Sequence, residues 1–194
     1  GCYFSQETIW ISYSLKVMKR TWFELKASQK SMFYNDRFHE YDLLINTFQG
    51  SIKTKLVKKY FFEVSFSSSS ANNTTYKDGS MSTMFVDRGY NETSLRSSVS
   101  YKLNKSSFIN VLGSSLSFYQ RKYISSSHLD LLHIDRTHLD SKFKMWLKSD
   151  LNGLTYKVSL IFRQRVTDSP FLWVERLKSF SKYEVNVEVS YRLF

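Results

Sequence analysis

The residues best suited to chemistry in this 194-residue sequence are three His-x-Asp units within one segment. They are His128-Leu129-Asp130, His133-Ile134-Asp135 and His138-Leu139-Asp140. A carboxylate can orient an imidazole, and on a β-strand the two ends of such a unit share one face. A step of five residues changes the face, so the three units cannot converge from one strand, although they could do so within a loop.

This segment leaves a catalytic and a non-catalytic interpretation open. The candidate catalytic residues are His128, His133, His138, Asp130 and Asp135. Histidine and aspartate also suit zinc or manganese. The alternative is a polar outer loop, and we predict neither a metal site nor a cofactor. The sequence contains no nucleophile motif, phosphate-binding loop or carboxylate pair that stands out.

The composition restricts the classes of protein that the chain can belong to. The single Cys excludes a disulfide scaffold, and six Gly with one Pro exclude collagen-like and linker sequences. An aromatic content of 17% argues against disorder, and no apolar run is long enough for a membrane-spanning helix. The length predicts a single domain over residues 1–194. The net charge of +11 initially favours a polyanionic partner.

The elements that must position these residues are β-strands, because the dominant hydrophobic pattern has period two. Residues 183–193 alternate strictly between apolar and polar side chains, and residues 154–163 repeat the pattern. The same alternation elsewhere predicts eight antiparallel strands. They cover residues 6–25, 39–49, 53–68, 81–103, 107–123, 139–149, 154–166 and 182–194.

The connections between these strands are of two lengths. Short turn signals lie near residues 50, 105 and 152. The longer polar stretches are 26–38, 68–92, 124–140 and 167–181. Short turns at one end and long loops at the other are typical of a transmembrane β-barrel. We therefore predict an all-β, antiparallel, up-and-down barrel of eight strands with four long loops and three short turns. Ten to twelve strands are the alternative.

The last long loop has two possible structures. Ser169-Pro170 is a helix-start signal, and Trp173, Leu177 and Phe180 follow at helical spacing. The pattern favours a short amphipathic helix at the membrane surface. Residues 171–178 could equally be a further strand, which would raise the strand count.

The C-terminal strand resembles the assembly signal of Gram-negative outer-membrane barrels, an alternating strand with a late Tyr and a terminal Phe. The residues that carry the resemblance are Val185, Val187, Val189, Tyr191, Leu193 and Phe194. The layout of loops and turns is similar to the eight-stranded barrels of the OmpA transmembrane, OmpX and OmpW type. The resemblance implies an integral protein of the bacterial outer membrane, recognised by the barrel-assembly machinery.

The polar faces of the strands would line the interior of such a barrel. The predicted interior network consists of Lys144, Lys148, Lys157, Arg163, Arg165, Glu184, Glu188 and Arg192. Because buried charges require partners, we expect Glu184 and Glu188 to pair with basic residues on neighbouring strands. Basic residues near the long-loop rim, such as Arg121 and Lys122, could contact lipopolysaccharide phosphates.

Three functional hypotheses follow from these predictions. The first is a non-enzymatic structural, surface-binding or accessory-subunit role in the cell envelope, with outer-membrane lipids, lipopolysaccharide and other envelope proteins as partners. The second is an outer-membrane lipid-modifying enzyme that uses the His-rich loop 128–140. The third is a soluble basic β protein that binds a polyanion. Nucleic acid is not expected, because basic and aromatic side chains fall on opposite strand faces.

Overall fold

The computed structural model describes residues 4–34, 41–57, 59–75, 86–103, 109–151 and 154–191, which form nine β-strands and one short helix. The strands are β1 (Phe4–Met18), β2 (Thr21–Tyr34), β3 (Leu43–Val57), β4 (Tyr60–Asn73), β5 (Tyr90–Lys102), β6 (Val111–Tyr123), β7 (Thr137–Leu151), β8 (Leu154–Asp168) and β9 (Phe180–Tyr191). The helix α1 (Leu172–Lys178) lies between β8 and β9. The strands form one sheet in chain order, and each neighbouring pair is antiparallel. The predicted all-β, up-and-down architecture is confirmed.

The sheet has one apolar face and one polar face because side chains alternate along each strand. On β8 the apolar face carries Val158 and Leu160, both exposed, and the polar face carries Lys157 and Ser159. Ser159 is only 2% exposed. The described residues contain no second sheet that could cover it, and the larger residues Trp146 and Asn186 lie directly opposite it on the two neighbouring strands.

The predicted strand count of eight is wrong, because the described residues form nine strands, and the sheet that they form is not closed. In the described part of the chain, β1 and β9 are the two edges of the sheet and do not pair with each other. With nine antiparallel strands, β1 and β9 run in the same direction. Closure by these two edges would therefore require a parallel pair, whereas an even number of strands closes with antiparallel pairs throughout.

The additional strand comes from the N-terminal region. Residues 6–25 form parts of two strands that turn at Lys19-Arg20, and the predicted loop 26–38 includes most of β2. Ala27, Gln29 and Ser31 lie on the apolar face of β2, so this segment lacks the strong alternation seen elsewhere. Backbone pairing with β1 and β3 on both sides holds it as a strand.

The turn predicted near residue 50 is wrong, because these residues lie in the middle of β3. Gly50 pairs with Leu25 of β2 and with Phe66 of β4. Glycine permits a turn but does not require one, and a strand that is paired on both sides continues through it. β3 ends at Val57 and β4 begins at Tyr60.

The second half of the chain agrees more closely with the prediction. β6, β7, β8 and β9 overlap the predicted strands 107–123, 139–149, 154–166 and 182–194, whereas β5 begins at Tyr90 rather than at residue 81. The predicted turn residues 104–106 and 152–153 lie outside the described residues, although the strands that flank them are paired.

The last long loop contains a helix, as its spacing predicts, and the alternative strand over residues 171–178 is wrong. α1 contacts β8 and fully buries Val174. The Glu175 carboxylate accepts a hydrogen bond from the backbone N–H of Ser169 at 3.2 Å, which helps to hold the start of the helix.

None of the helices in the described residues has the length and apolar character that crossing a membrane requires.

Candidate functional site

Four adjacent strands place charged side chains around a 220 Å³ pocket on the polar face, at the end of the sheet that carries the long loops. We call it the arginine pocket. Its lining residues are Glu92 on β5, Tyr119 and Arg121 on β6, His138, Asp140 and Lys142 on β7, and Arg163 and Arg165 on β8. They share one face because register places Arg121 opposite His138, Asp140 opposite Arg165 and Lys142 opposite Arg163.

Asp140 is the acidic centre of the pocket. Its Oδ1 accepts a hydrogen bond from Arg165 Nε at 2.6 Å, and its Oδ2 accepts from Arg165 Nη2 at 2.8 Å. Arg163 Nη2 donates to the same Oδ2 at 2.6 Å. The carboxylate is only 9% exposed. One buried carboxylate therefore neutralises one of two adjacent guanidinium groups and leaves the other in formal excess.

A second ion pair forms the opposite wall. Arg121 Nε donates to Glu92 Oε2 at 2.8 Å, and the Arg121 guanidinium lies 3.8 Å from the centre of the Tyr90 ring. Lys142 makes no ion pair among the described residues. Leaving His138 aside, four basic and two acidic side chains line the pocket, so its formal charge is 4 − 2 = +2.

The loop between β6 and β7 lies above this pocket and is organised by the buried Asp130. Its carboxylate accepts hydrogen bonds from the backbone N–H of Asp87 at 3.0 Å and from Ser125 Oγ at 2.9 Å. Its Oδ1 lies 2.7 Å from His133 Nδ1. Asp130 thus lies between the serine and the histidine. A serine nucleophile requires the histidine in the central position, so this contact stabilises the loop rather than activating Ser125.

Tyr123 connects the loop to the pocket. Its ring centre lies 5.1 Å from that of His133 and 5.5 Å from that of His138, and the Arg136 guanidinium lies 3.9 Å from it. His138 Nδ1 lies 2.9 Å from Thr167 Oγ1. The aromatic contacts therefore hold both histidines on one tyrosine, although their polar partners differ.

Arg136 is buried without full hydrogen bonding. It is 4% exposed, and its Nε and Nη1 atoms have no hydrogen-bond partner. Burial lowers the pKa of the Arg136 guanidinium, because desolvation disfavours the charged form. The guanidinium contacts the Tyr123 ring, but its two nitrogen atoms without a hydrogen bond carry a desolvation cost.

The candidate catalytic residues are dispersed rather than gathered. Asp130 and His133 form one buried pair, His138 contacts Thr167, and His128 and Asp135 are exposed. Asp135 has a φ angle of 48°, which places it in a tight turn. No group of three potential metal ligands occurs among the described residues. A catalytic role for this segment stays a prediction.

The predicted interior network lies on the polar face wherever the structure describes it. Glu188 accepts a hydrogen bond from Lys157 of the neighbouring strand β8 at 2.9 Å. Glu184 differs from the expectation, because it contacts Lys182 of its own strand. Lys148 Nζ lies 3.2 Å from Asp150 Oδ2. Arg192 is outside the described residues. The role of this network as a barrel interior stays a prediction.

The described residues of the predicted assembly signal lie on the apolar face. Val185, Val187, Val189 and Tyr191 are all exposed there, whereas Leu193 and Phe194 lie outside the described residues.

Sequence reasoning missed part of the pocket. Alternation places Lys142 on the polar face with Lys144, but the predicted interior network did not include it. Glu92 lies at an alternate position with Arg96, so strand periodicity could have assigned it to the same face. The contact between Asp87 and Asp130 had no local signal, because 43 residues separate the two.

Comparisons with known proteins do not assign the chain to a family. No protein-family model matches the sequence, and a search of curated proteins finds no match. Among solved structures, the chain is similar to LpxR from Salmonella typhimurium with a TM-score of 0.45 and 8% identity. The match covers 95% of this chain and 77% of that chain. A similarity this low identifies neither a family nor an activity.

Proposed function

We propose that the chain forms the membrane-spanning sheet of a bacterial outer-membrane β-barrel protein with a non-enzymatic role. The observation that carries the proposal is the distribution of apolar side chains. Large apolar residues are exposed along the whole sheet, and among the described residues only Ala71, Tyr90, Ile161 and Val174 form a buried apolar core. The exposed ones include Ile11, Phe66, Leu95, Leu116, Phe143, Leu160, Val185 and Val187.

This distribution is the reverse of that in a soluble β protein, in which apolar strand faces pack against each other. An apolar surface that extends over many strands is far larger than the patches that soluble monomers expose. Lipid would cover it without a second layer. The strands have 12 to 15 residues, and a spanning strand needs roughly 9–11. The proposal therefore accounts for exposure and strand length together.

The edges of the sheet set a requirement on the proposal. Backbone N–H and C=O groups at β1 and β9 cannot remain unpaired in hydrocarbon. The two edges must therefore pair, either with each other as a parallel pair or with further strands. An odd number of further strands would allow antiparallel pairing throughout.

The non-enzymatic role rests on the state of the buried polar groups. Asp130, His133 and Asp140 are engaged with each other or with neighbouring structural groups. The partners that we propose are outer-membrane lipids, lipopolysaccharide at the long-loop rim and other envelope proteins. Recognition by the barrel-assembly machinery through β9 is part of the same proposal.

Two adjacent residues of β9 provide a matched test of membrane insertion. Val187 lies at the centre of the apolar face of β9, between Tyr183 and Tyr191, and Asn186 lies on the polar face. Val187→Arg would place a charge in hydrocarbon at a cost of about 2–4 kcal/mol near the midplane. Asn186→Arg would place it on the polar face. We expect the first variant alone to lose folding into lipid vesicles, measured by protease protection and gel mobility without boiling.

Two outcomes would contradict the proposal. Equal folding of both variants would show that the apolar face does not meet lipid. A wild-type protein that is monodisperse without detergent would support a soluble β protein.

The enzyme hypothesis is tested separately, by measuring the turnover of a lipid substrate. Joint substitution of His128, His133 and His138 by Ala would abolish turnover of phospholipid or lipid A if the His-rich loop were catalytic, and we expect no turnover by the wild type.

A further inference from the structure

We propose that the arginine pocket is a binding site for a phosphate group. The inference concerns the polar face alone and does not rest on the proposed membrane location. Four basic side chains converge there from three adjacent strands, and two carboxylates offset only half of their charge. Because like charges in a partly buried pocket repel one another, the arrangement is stabilised when an anion enters.

The geometry of the basic groups suits a tetrahedral anion. Asp140 accepts two hydrogen bonds from Arg165 but only one from Arg163, so N–H donors of the Arg163 guanidinium stay available. Lys142 is opposite Arg163 in the β7–β8 register and makes no ion pair among the described residues. A guanidinium and an ammonium on paired positions can contact different oxygens of one phosphate group.

The remaining wall supports the same ligand chemistry. Arg121 is held by Glu92 and by the Tyr90 ring, which fixes its guanidinium on the side of the pocket opposite β8. His138 lies directly opposite Arg121 in the β6–β7 register. Arg136 retains two buried nitrogen atoms without hydrogen-bond partners. Arg121 and Arg136 therefore place two further guanidinium groups beside the contacts of Arg163 and Lys142.

The volume distinguishes a phosphate group from a larger ligand. A pocket of 220 Å³ accommodates one tetrahedral anion with bridging waters, whereas drug-sized ligands occupy about 300 Å³ or more. The phosphate could belong to a soluble molecule or to a lipid headgroup. Because the pocket opens on the polar face, we expect soluble inorganic phosphate to bind.

The test compares two lysines on the same face of the sheet. Lys142→Gln removes a charge from the pocket, and Lys30→Gln makes the same change on β2, opposite Thr8 and Ile45. Arg163→Gln is a second pocket variant, in which Arg165 still neutralises Asp140. The full chain is folded in a non-ionic detergent that contains no phosphate. Binding of inorganic phosphate is measured by calorimetry at constant ionic strength.

We expect wild type and Lys30→Gln to bind inorganic phosphate equally, and each pocket variant to bind about tenfold more weakly, which corresponds to ~1.4 kcal/mol. A parallel titration uses vesicles that contain phosphatidic acid. Binding in that titration alone, with the same dependence on Lys142 and Arg163, would identify a lipid headgroup as the source of the phosphate. The proposal is overturned if neither probe binds, or if the pocket variants bind as tightly as Lys30→Gln.

Discussion

The polar face of β6–β9 has two halves that contain the same kinds of residue but stabilise the sheet differently. In the long-loop half, Asp140 is 9% exposed and contacts two arginines. In the short-turn half, Glu188 is 62% exposed and contacts Lys157 alone. Exposed ion pairs contribute little because water screens them, whereas removal of one partner from a buried pair leaves an uncompensated charge. Burial of the carboxylate, rather than the number of charges, distinguishes the two ion pairs.

The largest effect that we expect comes from Asp140→Asn in the long-loop half. The substitution leaves Arg163 and Arg165 adjacent without a carboxylate between them. The expected loss in the free energy of unfolding is about 3 kcal/mol. This is the lower end of the range for breaking a buried ion pair, because the Arg163 side chain is one third exposed. Urea-induced unfolding in detergent micelles measures this loss.

The matched control for Asp140→Asn is Asp150→Asn, because Asp150 is 50% exposed and lies in the short-turn half. An equal loss for both variants would show that the two halves do not differ. Addition of Arg163→Gln to Asp140→Asn should recover part of the loss, because it removes one of the two repelling charges.

In the short-turn half, the stability of the sheet depends on the close packing of Trp146 against Gly113, and Gly113→Ala tests this dependence. A Cβ atom at Gly113 would lie 2.2 Å from Cζ2 of Trp146, which is directly opposite on β7. The indole is rigid, so the strands or the ring must move at a cost of about 1–3 kcal/mol. Unfolding in micelles measures the cost, and Trp146→Phe in the same chain should relieve it.

Gly50→Ala is the control for this steric effect. A Cβ atom at Gly50 would lie 3.8 Å from Leu25 Cδ2, which is an ordinary contact. We expect little change in stability for this variant. A comparable loss at both positions would indicate a general intolerance of side chains at strand glycines rather than a specific contact with Trp146.

The sequence predicts the strands of the second half because their apolar and polar faces differ strongly. Residues 182–193 alternate without interruption and residues 154–166 do so apart from Ile161 and Gln164, and β8 and β9 lie there. β2 escaped prediction because Ala27, Gln29 and Ser31 occupy its apolar face, so it carries too little periodic signal. Gly50 led to the opposite error. Its residue type indicates a turn, but it lies within β3, which is paired on both sides.

The site was less predictable than the fold because it depends on register. Arg163 and Arg165 were assigned to the polar face by alternation alone, but their shared contact with Asp140 depends on the pairing of β7 with β8. The His-x-Asp units attracted a catalytic interpretation because of their residue types. Their separation into an Asp130–His133 pair and a His138–Thr167 contact follows from the loop conformation, which the spacing does not encode.

The smallest effect that we expect is that of Glu188→Gln. Lys157 loses its carboxylate partner, but solvent can hydrate its ammonium group because the Lys157 side chain is 30% exposed and the Glu188 side chain is 62% exposed. The urea midpoint in micelles should therefore stay at the wild-type value. A clear decrease would mean that β9 is more enclosed than its exposure indicates, as pairing of this edge strand with a further strand would produce. The variant with the weakest expected effect is therefore also a sensitive probe of whether the β9 edge is covered.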